Sequence, residues 1–304
     1  MKTEVRLGAD RIHSGQDPRL QPRIASNPAL ALLLNSLQDE LTKQDGSFWN
    51  CELPFRQFLT DPDALANFLN FELEQIQRSP FYGPNSASGS YFPIHESEYF
   101  SLFLLRYKKQ TEAPDALAGT PSNCFMGVLS NTPLTLNVFE QPDLRDSDVL
   151  DRSKRLKSLG SKTLRQGEIF DMHAGRHVVD VLSDSETLVL MLSSRAADDI
   201  VWDYDRRTLA PLQAVSNSLA SSRLEFAINY SGVVGNCASL DAVTPFVEHE
   251  LHYIRWSAVR SVMRLDPQRG VALLKNAAND RHPHVRNAAQ RTLQRLAAAN
   301  LVSV

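Results

Sequence analysis

Four side chains in the middle of the sequence could carry out acid–base, nucleophilic or metal chemistry. His95, His173 and His177 offer imidazole nitrogens, and Cys124 offers a thiol. Imidazoles exchange protons near neutral pH and bind divalent transition metals. We therefore predict His177, His173 and His95 as candidate metal ligands, and Cys124 and His177 as candidate catalytic residues.

Three short phrases around these residues follow the pattern of one enzyme family. In residues 122–129, SNCFMGVL, a Cys-Phe pair enters a strand that ends in a turn. In residues 167–178, GEIFDMHAGRHV, a glycine opens a strand and His177 comes later, after a second glycine. Residues 204–208, YDRRT, form an aromatic-Asp-x-Arg-Thr turn. Over residues 28–212, in which these phrases keep the family's order and spacing, the chain resembles the cysteine dioxygenases.

The resemblance implies a cupin β-barrel that binds one ferrous iron through three histidines and leaves positions open for a thiol substrate and O₂. It places His177 on the third histidine, and Cys124 on the cysteine that the family can crosslink to a tyrosine. At other positions the residue type differs from that of the family. Leu117 and Gly119 stand in place of the first two histidines, and Ser193 stands in place of the tyrosine. Val189 and Met191 replace the polar neighbours of the tyrosine, and Pro93, close to His95, replaces the substrate-binding arginine.

Three functional hypotheses follow from this pattern. The first is a cupin with altered or lost iron-dependent dioxygenase activity, which binds a small molecule in the barrel or a protein partner. The second is a mononuclear non-heme metal oxidoreductase, acting on a thiol or small amine, with a ligand set rearranged around His177. The third is a scaffold or regulatory protein that works through its C-terminal helices. A structural interpretation stands beside them: the histidines are ordinary polar residues, and Cys124 is a buried apolar thiol.

The residues in front of the three phrases have the periodicity of helices. Residues 28–43 repeat leucines at intervals of three and four, and a second helix is predicted near Asp63, with Asp61 as cap and Pro62 in its first turn. The second helix should bury Leu65, Phe68, Leu69 and Leu73. Residues up to Asn27 are aperiodic and predict a poorly ordered lead-in.

A period of two begins after the turn-rich residues 79–90. Five runs rich in Leu, β-branched and aromatic residues, YFSLFLLRY, FMGVLS, PLTLNVF, HVVDVL and TLVLMLS, are separated by Pro, Gly, Asn and Asp. Only residues 149–159 leave room for a helix between them, and helices return beyond Leu209. Several short strands without intervening helices predict an antiparallel barrel or jelly roll.

The predicted fold class is α+β, with three segments. Residues 1–27 form a flexible lead-in, residues 28–212 a cupin-type antiparallel β-barrel (jelly roll) with N-terminal helices, and residues 213–304 an α-helical HEAT-like region. The HEAT-like pattern consists of a helix with Ile254, Ala258, Val259 and Val262, an Asp266-Pro267 turn, a helix with Val271, Leu273 and Leu274, and a D-x-x-x-x-V-R-x-x-A phrase that begins at Asp280 and includes Val285, Arg286 and Ala289. Such units bury a face only by stacking on neighbours.

Charge is distributed unevenly along the chain. From Leu251 to the end, nine Arg or Lys accompany two acids, so this segment carries +7 and the remainder −10. An acidic protein partner and the chain's own acidic body are equally good candidate targets for the basic helices, whereas nucleic-acid binding is disfavoured because no aromatic platform accompanies the arginines. His249 and His252 of the phrase HELH are three apart instead of four, which excludes the zinc-protease spacing and favours a helix surface.

Composition excludes several classes of protein. The 304 residues are 42% hydrophobic and 22% charged, a balance typical of globular domains. No apolar run is long enough for a signal peptide or a membrane span, and Cys51, Cys124 and Cys237 form no C-x-x-C pair. We expect a cytoplasmic protein with no membrane interaction. No phosphate-binding glycine loop or nucleophilic serine elbow is present.

Overall fold

Polar caps and prolines set the starts of the N-terminal helices. In the computed structural model, which describes residues 20–79, 90–109, 114–142, 149–197 and 200–299, helices α1 to α4 span Leu20–Ser26, Pro28–Leu41, Glu52–Thr60 and Pro62–Arg78. Asn27 caps α2 by accepting the backbone N–H of Leu30. Asp61 caps α4 by accepting two backbone N–H groups, and Pro62 opens it. The predicted start of α4 is thus confirmed.

Other local predictions for these helices need correction. Helix α1 lies within the predicted lead-in, and its Arg23 is 4% exposed; residues 1–19 lie outside the described residues. Helix α3 follows a short 3₁₀ helix, Phe48–Cys51, where a break between helices was predicted. Helix α4 buries Ala64, Phe68 and Glu72, whereas Leu73 is exposed. Phe68 is buried as predicted, and Leu65 and Leu69 pack partly buried against the same cluster, so the prediction is wrong only for Leu73, next to the buried Glu72.

Eleven antiparallel strands lie within the described residues. They span Tyr91–Glu96 (β1), Phe100–Tyr107 (β2), Ala116–Ala118 (β3), Ser122–Val128 (β4), Leu134–Glu140 (β5), Lys157–Leu164 (β6), Ile169–Met172 (β7), His177–Leu182 (β8), Thr187–Ala196 (β9), Ile200–Asp205 (β10) and Pro211–Ser216 (β11). They form sheets of order β1-β2-β9-β4-β7, β6-β5-β8 and β11-β10-β3, and one bridge, Gly119 to Val178, links the last two. The ladders do not close into the predicted continuous barrel.

All five predicted strands are present, as β2, β4, β5, β8 and β9. Strand β6 occupies part of the stretch in which a helix was allowed, and β11 follows Leu209, where helices were expected to resume. Only Leu164 of β6 is buried, so this strand has no alternation of apolar residues that a sequence could reveal. Pairing with β5, and not its own residue composition, makes this segment a strand.

The five-stranded sheet packs against different groups of residues on its two faces. Phe125 belongs to the cluster that joins this sheet to the N-terminal helices, and Cys124 belongs to the cluster that joins it to β5 and β6. Helix α3 approaches β4 so closely that a Cβ atom at Gly127 would lie 2.6 Å from Leu59 Cδ2. The helices therefore cover one face and leave Cys124 between the sheets.

The chain divides into two compact units, Met1–Asn217 and Ser218–Val304. The first is here called the β unit. The second, here called the helical unit, contains α5 to α9, which span Leu219–Val234, Cys237–Val243, His252–Leu265, Pro267–Ala277 and Pro283–Ala298. The three helices predicted from the HEAT-like pattern are confirmed as α7, α8 and α9, and most of their predicted apolar residues are buried. No helix among the described residues is long and apolar enough to cross a membrane.

Candidate functional site

Cys124 lies in β4, between the sheets, and is 6% exposed. Its thiol is 3.4 Å from the carbonyl oxygen of Ser122 and 3.4 Å from Ser193 Oγ. Burial raises the pKa of the Cys124 thiol to about 11, so the thiol is protonated at neutral pH. Ser193 stands opposite Cys124 in the β4–β9 ladder, so this pair offers no phenol for a Cys-Tyr crosslink. These surroundings favour a buried thiol over a nucleophile.

Apolar side chains surround Cys124. Its cluster includes Val189 and Met191, two positions at which the dioxygenase resemblance implied polar groups. Burial raises the pKa of Tyr107, the phenol that packs against this cluster, and a charge on Cys124 would raise it further. Leu117, which the resemblance placed on an iron ligand, packs instead in a separate cluster with Trp202 and Tyr204. Cys124 therefore packs among apolar side chains.

His173 and His177 stand at the two ends of the turn between β7 and β8. Their ring centroids are 5.2 Å apart, and the backbone N–H of His173 donates to His177 Nδ1 at 3.2 Å. The backbone N–H of His177 in turn donates to the carbonyl oxygen of His173 at 3.0 Å. Burial lowers the pKa of His177, and the nearby charges of His173 and Arg176 lower it further. The His177 ring thus accepts a hydrogen bond from the other end of its own turn and stabilises that turn.

Other groups hold the same turn from outside. The backbone N–H of Ala174 donates to Asn123 Oδ1 at 2.9 Å, and that of Gly175 donates to the carbonyl oxygen of Thr120 at 3.0 Å. Gly175 has φ +64°, a left-handed conformation that glycine adopts without steric cost. The ring of Trp49 lies 4.1 Å from that of His173. These contacts therefore fix the turn that carries both histidines.

Replacing His177 with alanine should lower the free energy of unfolding by roughly 1 kcal/mol, because the backbone N–H of His173 loses its acceptor. Wild-type stability should fall as the pH drops below about 6.5, because the unfolded His177 then takes up a proton more readily than the folded one. His177→Asn is the matched control, since its carbonyl can still accept the hydrogen bond but does not titrate. Urea unfolding from pH 5 to pH 8 measures both effects.

We expect His177→Asn to keep most of the stability at pH 8 and to lose part of the dependence on pH. Equal stability of wild type and His177→Ala across this range would contradict the turn-closing role of the ring.

His95 lies far from the other two candidate histidines in the sheet. It belongs to β1, with its ring centroid 5.2 Å from that of Phe100, whereas His173 follows β7. Strands β1 and β7 are the two edges of the five-stranded sheet. Strands β2, β9 and β4 lie between them. The structure therefore brings His173 and His177 together and does not bring His95 to them.

An iron site of the kind implied by the resemblance needs three side-chain ligands that meet at one point. In the part of the chain that the structure describes, no third His, Cys, Asp or Glu forms a group with His173 and His177 in which all ligand atoms lie within 4.8 Å of one another. The described residues around His173 and His177 therefore do not provide a three-ligand iron centre.

The helical unit contains a set of histidines that the sequence patterns did not reveal. One ligand nitrogen from each of His252, His282 and His284 lies within 4.8 Å of the others. The HELH phrase is not a helix surface: His249 and Glu250 precede α7, and His252 is its first residue. The short spacing in R-H-P-H at residues 281–284 was the one available signal, and its third partner lies about thirty residues earlier.

The helical unit also has a cleft with basic and apolar walls. Its volume is about 290 Å³, and it is lined by Trp256, Arg260, Met263, Arg264 and Thr292. Both arginines are exposed. The two acids of the basic segment are engaged elsewhere, since Asp280 pairs with Arg255 and Asp266 caps α8. The cleft therefore combines an aromatic side chain with positive charge.

Comparison with known proteins gives only distant structural likenesses. No protein family matches the chain, and no curated protein matches its sequence. The structure is similar to hydroquinone 1,2-dioxygenase from Sphingomonas sp. TTNP3, with 12% identity, 37% of this chain and 70% of that chain covered, and a TM-score of 0.28. It is also similar to the Cnp3 cupin domain of Schizosaccharomyces pombe, with 8% identity, 37% and 72% covered, and a TM-score of 0.24. TM-scores this low do not by themselves identify a function.

Proposed function

We propose that this protein is a binding protein whose β unit is a cupin-type domain without the iron-dependent dioxygenase activity of the cysteine dioxygenases. One observation carries the proposal: among the described residues, His173 and His177 lie together without a third His, Cys, Asp or Glu near enough to share a metal with them, and His95 lies on β1, at the other edge of the five-stranded sheet from β7. Iron that activates O₂ needs several ligands at one point together with open positions. The apolar packing around Cys124 also argues against a polar catalytic site between the sheets.

Metal analysis tests this proposal directly. Protein purified without chelators should contain well under one iron per chain and should show no thiol-dependent oxygen uptake, because two imidazoles alone do not complete an iron site. Elemental analysis and an oxygen electrode, with cysteine and cysteamine as substrates, measure both. His177→Ala is the control, and its iron content should equal that of the wild type. About one tightly held iron with oxygen uptake, both lost in His177→Ala, would establish the alternative of a metal oxidoreductase.

A second proposal concerns the helical unit, which we propose presents the surface on which an acidic protein segment docks. The cleft beside Trp256, Arg260 and Arg264 offers an aromatic contact and two exposed positive charges. Tryptophan and arginine are enriched among the residues that dominate binding energy. This is the scaffold or regulatory role expected of the basic HEAT-like helices.

Peptide binding tests the acidic partner. A fluorescein-labelled peptide of alternating Glu and Leu should bind the full chain, and the double charge reversal Arg260→Glu/Arg264→Glu should weaken its binding about tenfold or more, which corresponds to about 1.4 kcal/mol. A peptide of alternating Lys and Leu is the matched control and should not bind the wild type. Equal affinity for the two peptides, or unchanged affinity in the variant, would rule out this docking surface.

A further inference from the structure

Three histidines meet where two helices of the helical unit begin. His252 is the first residue of α7, His282 is the N-cap of α9, and His284 is the second residue of α9. The rings of His252 and His282 are stacked with centroids 3.8 Å apart, and the ring of His284 lies 5.9 Å from the first and 5.0 Å from the second. All three residues are partly shielded from solvent.

A buried ion pair holds these two helix starts in place. Arg255 Nε and Nη2 donate to the two carboxylate oxygens of Asp280 at 2.9 and 2.7 Å. Arg255 Nη1 also donates to the carbonyl oxygens of His249 and Glu250, just before α7. Asp280 accepts the backbone N–H of His282, just before α9. These hydrogen bonds therefore fix the positions of the two helix starts that carry the three histidines.

The chemistry of the cluster suits a divalent transition metal. Neutral imidazoles bind zinc, copper and nickel through one nitrogen lone pair each. Three histidines with a fourth, open position form a common tetrahedral arrangement, in which Zn–N bonds of about 2.0–2.1 Å place the nitrogens about 3.3 Å apart. The nitrogens here lie within 4.8 Å of one another, and the stacked rings of His252 and His282 must rotate apart for both lone pairs to point at one ion.

Binding at His282 has a definite consequence for α9. His282 Nδ1 accepts the backbone N–H of His284 at 3.2 Å and so caps the helix. A neutral, metal-bound imidazole carries the metal on one nitrogen and a proton on the other. The metal therefore replaces this cap hydrogen bond, which in helices contributes about 1 kcal/mol. Metal binding should therefore weaken the hydrogen bonding of the first turn of α9, so that the backbone N–H of His284 exchanges faster.

We propose that His252, His282 and His284 form a site for one zinc-class divalent metal ion, with a fourth position for water or for a ligand from a partner. A cation at this site lies beside two helix N-termini, which disfavours it, so the affinity must come from the three imidazole nitrogens. The site is separate from His173 and His177, and it does not depend on the absence of iron from the β unit.

Titration of the full chain with Co²⁺ and Zn²⁺ tests the site. One Co²⁺ per chain should give the visible absorption of a tetrahedral nitrogen-ligated ion, and Zn²⁺ should displace it. His252→Ala, His284→Ala and His282→Asn should each weaken binding about tenfold or more. His282→Asn removes a ligand nitrogen and keeps a side-chain acceptor for the cap.

His249→Asn is the matched control, because His249 lies beside the cluster and is not part of it; its metal affinity should equal that of the wild type. Hydrogen exchange of the His284 amide should increase on metal binding. Absence of Co²⁺ binding, or binding that survives all three substitutions, overturns the site. Metal lost in His177→Ala but retained in His252→Ala would instead locate it in the β unit, and would count against the proposed function as well.

Discussion

We expect Asp280→Ala to lower the free energy of unfolding of the helical unit by about 3–5 kcal/mol, because the substitution leaves a buried guanidinium without its counter-ion. Arg255 is 4% exposed and donates to both oxygens of Asp280. The same carboxylate accepts the backbone N–H of His282. Loss of one side chain thus breaks the connection between the starts of α7 and α9.

The dependence on pH follows from the same contacts. Burial alone would raise the pKa of Asp280, but hydrogen bonds from Arg255 and from the His282 backbone outweigh it, and the net pKa lies below its ordinary value. The carboxylate is therefore stabilising above the ordinary pKa of about 3.9, and its contribution is lost as the pH falls through the lower, folded value. Asp280→Ala should reduce this acid sensitivity of the helical unit.

Hydrogen exchange followed by mass spectrometry measures this effect locally, in peptides that cover α7 and α9, and urea unfolding gives its size. Arg269→Ala is the matched control in the same unit. Arg269 forms an exposed ion pair with Asp241 at 3.8 Å, so its loss should cost less than about 0.5 kcal/mol. Similar effects of the two substitutions would contradict the assignment of Asp280 as the residue that joins the helix starts.

The second large effect is expected at Glu72. Glu72→Ala should destabilise the β unit by about 3–5 kcal/mol, because Arg23 would remain buried without a negative partner. Arg23 Nε lies 2.5 Å from Glu72 Oε1, and their side chains are 4% and 3% exposed. Arg23 Nη1 also reaches the carbonyl oxygen of Ile94 at 3.4 Å, so the pair joins α1, α4 and β1.

A variant on the same helix and a double substitution sharpen this test. Glu74 pairs with Arg78 on the exposed side of α4, with side chains 60% and 70% exposed, so Glu74→Ala should cost less than about 0.5 kcal/mol. Arg23→Met/Glu72→Leu should recover most of the stability lost in Glu72→Ala, because the two charges are then removed together. Urea unfolding measures all three variants. A double variant as unstable as Glu72→Ala would show that packing, not an unpaired charge, causes the loss.

Local apolar periodicity predicted several of the helices and the five strands whose apolar residues alternate most clearly. The three-four spacing of leucines predicted α2, and Asp61 with Pro62 predicted the start of α4. The five alternating runs became β2, β4, β5, β8 and β9. Each of these signals is contained within one element, since it arises from the face that the element must bury.

Strands and helices whose identity comes from their neighbours escaped prediction. Strand β6 is almost entirely exposed, and α1 is short and polar. The burial of Arg23 and Glu72 makes α1 part of the core, but the two residues are 49 positions apart. A charged residue at the surface and one in a buried pair look the same in a sequence.

The sequence by itself determined where strands replace the N-terminal helices, that Cys124 sits in an apolar strand, and that the C-terminal helices are basic. Only the tertiary structure decided what each histidine does. His177 accepts a hydrogen bond from a backbone N–H, a group that every residue except proline carries and that no residue type signals. His252 meets His282 and His284 because Arg255 and Asp280 join two helix starts across some thirty residues. Local residue types set periodicity and charge, whereas the meeting of distant side chains depends on how the packed elements are arranged in space.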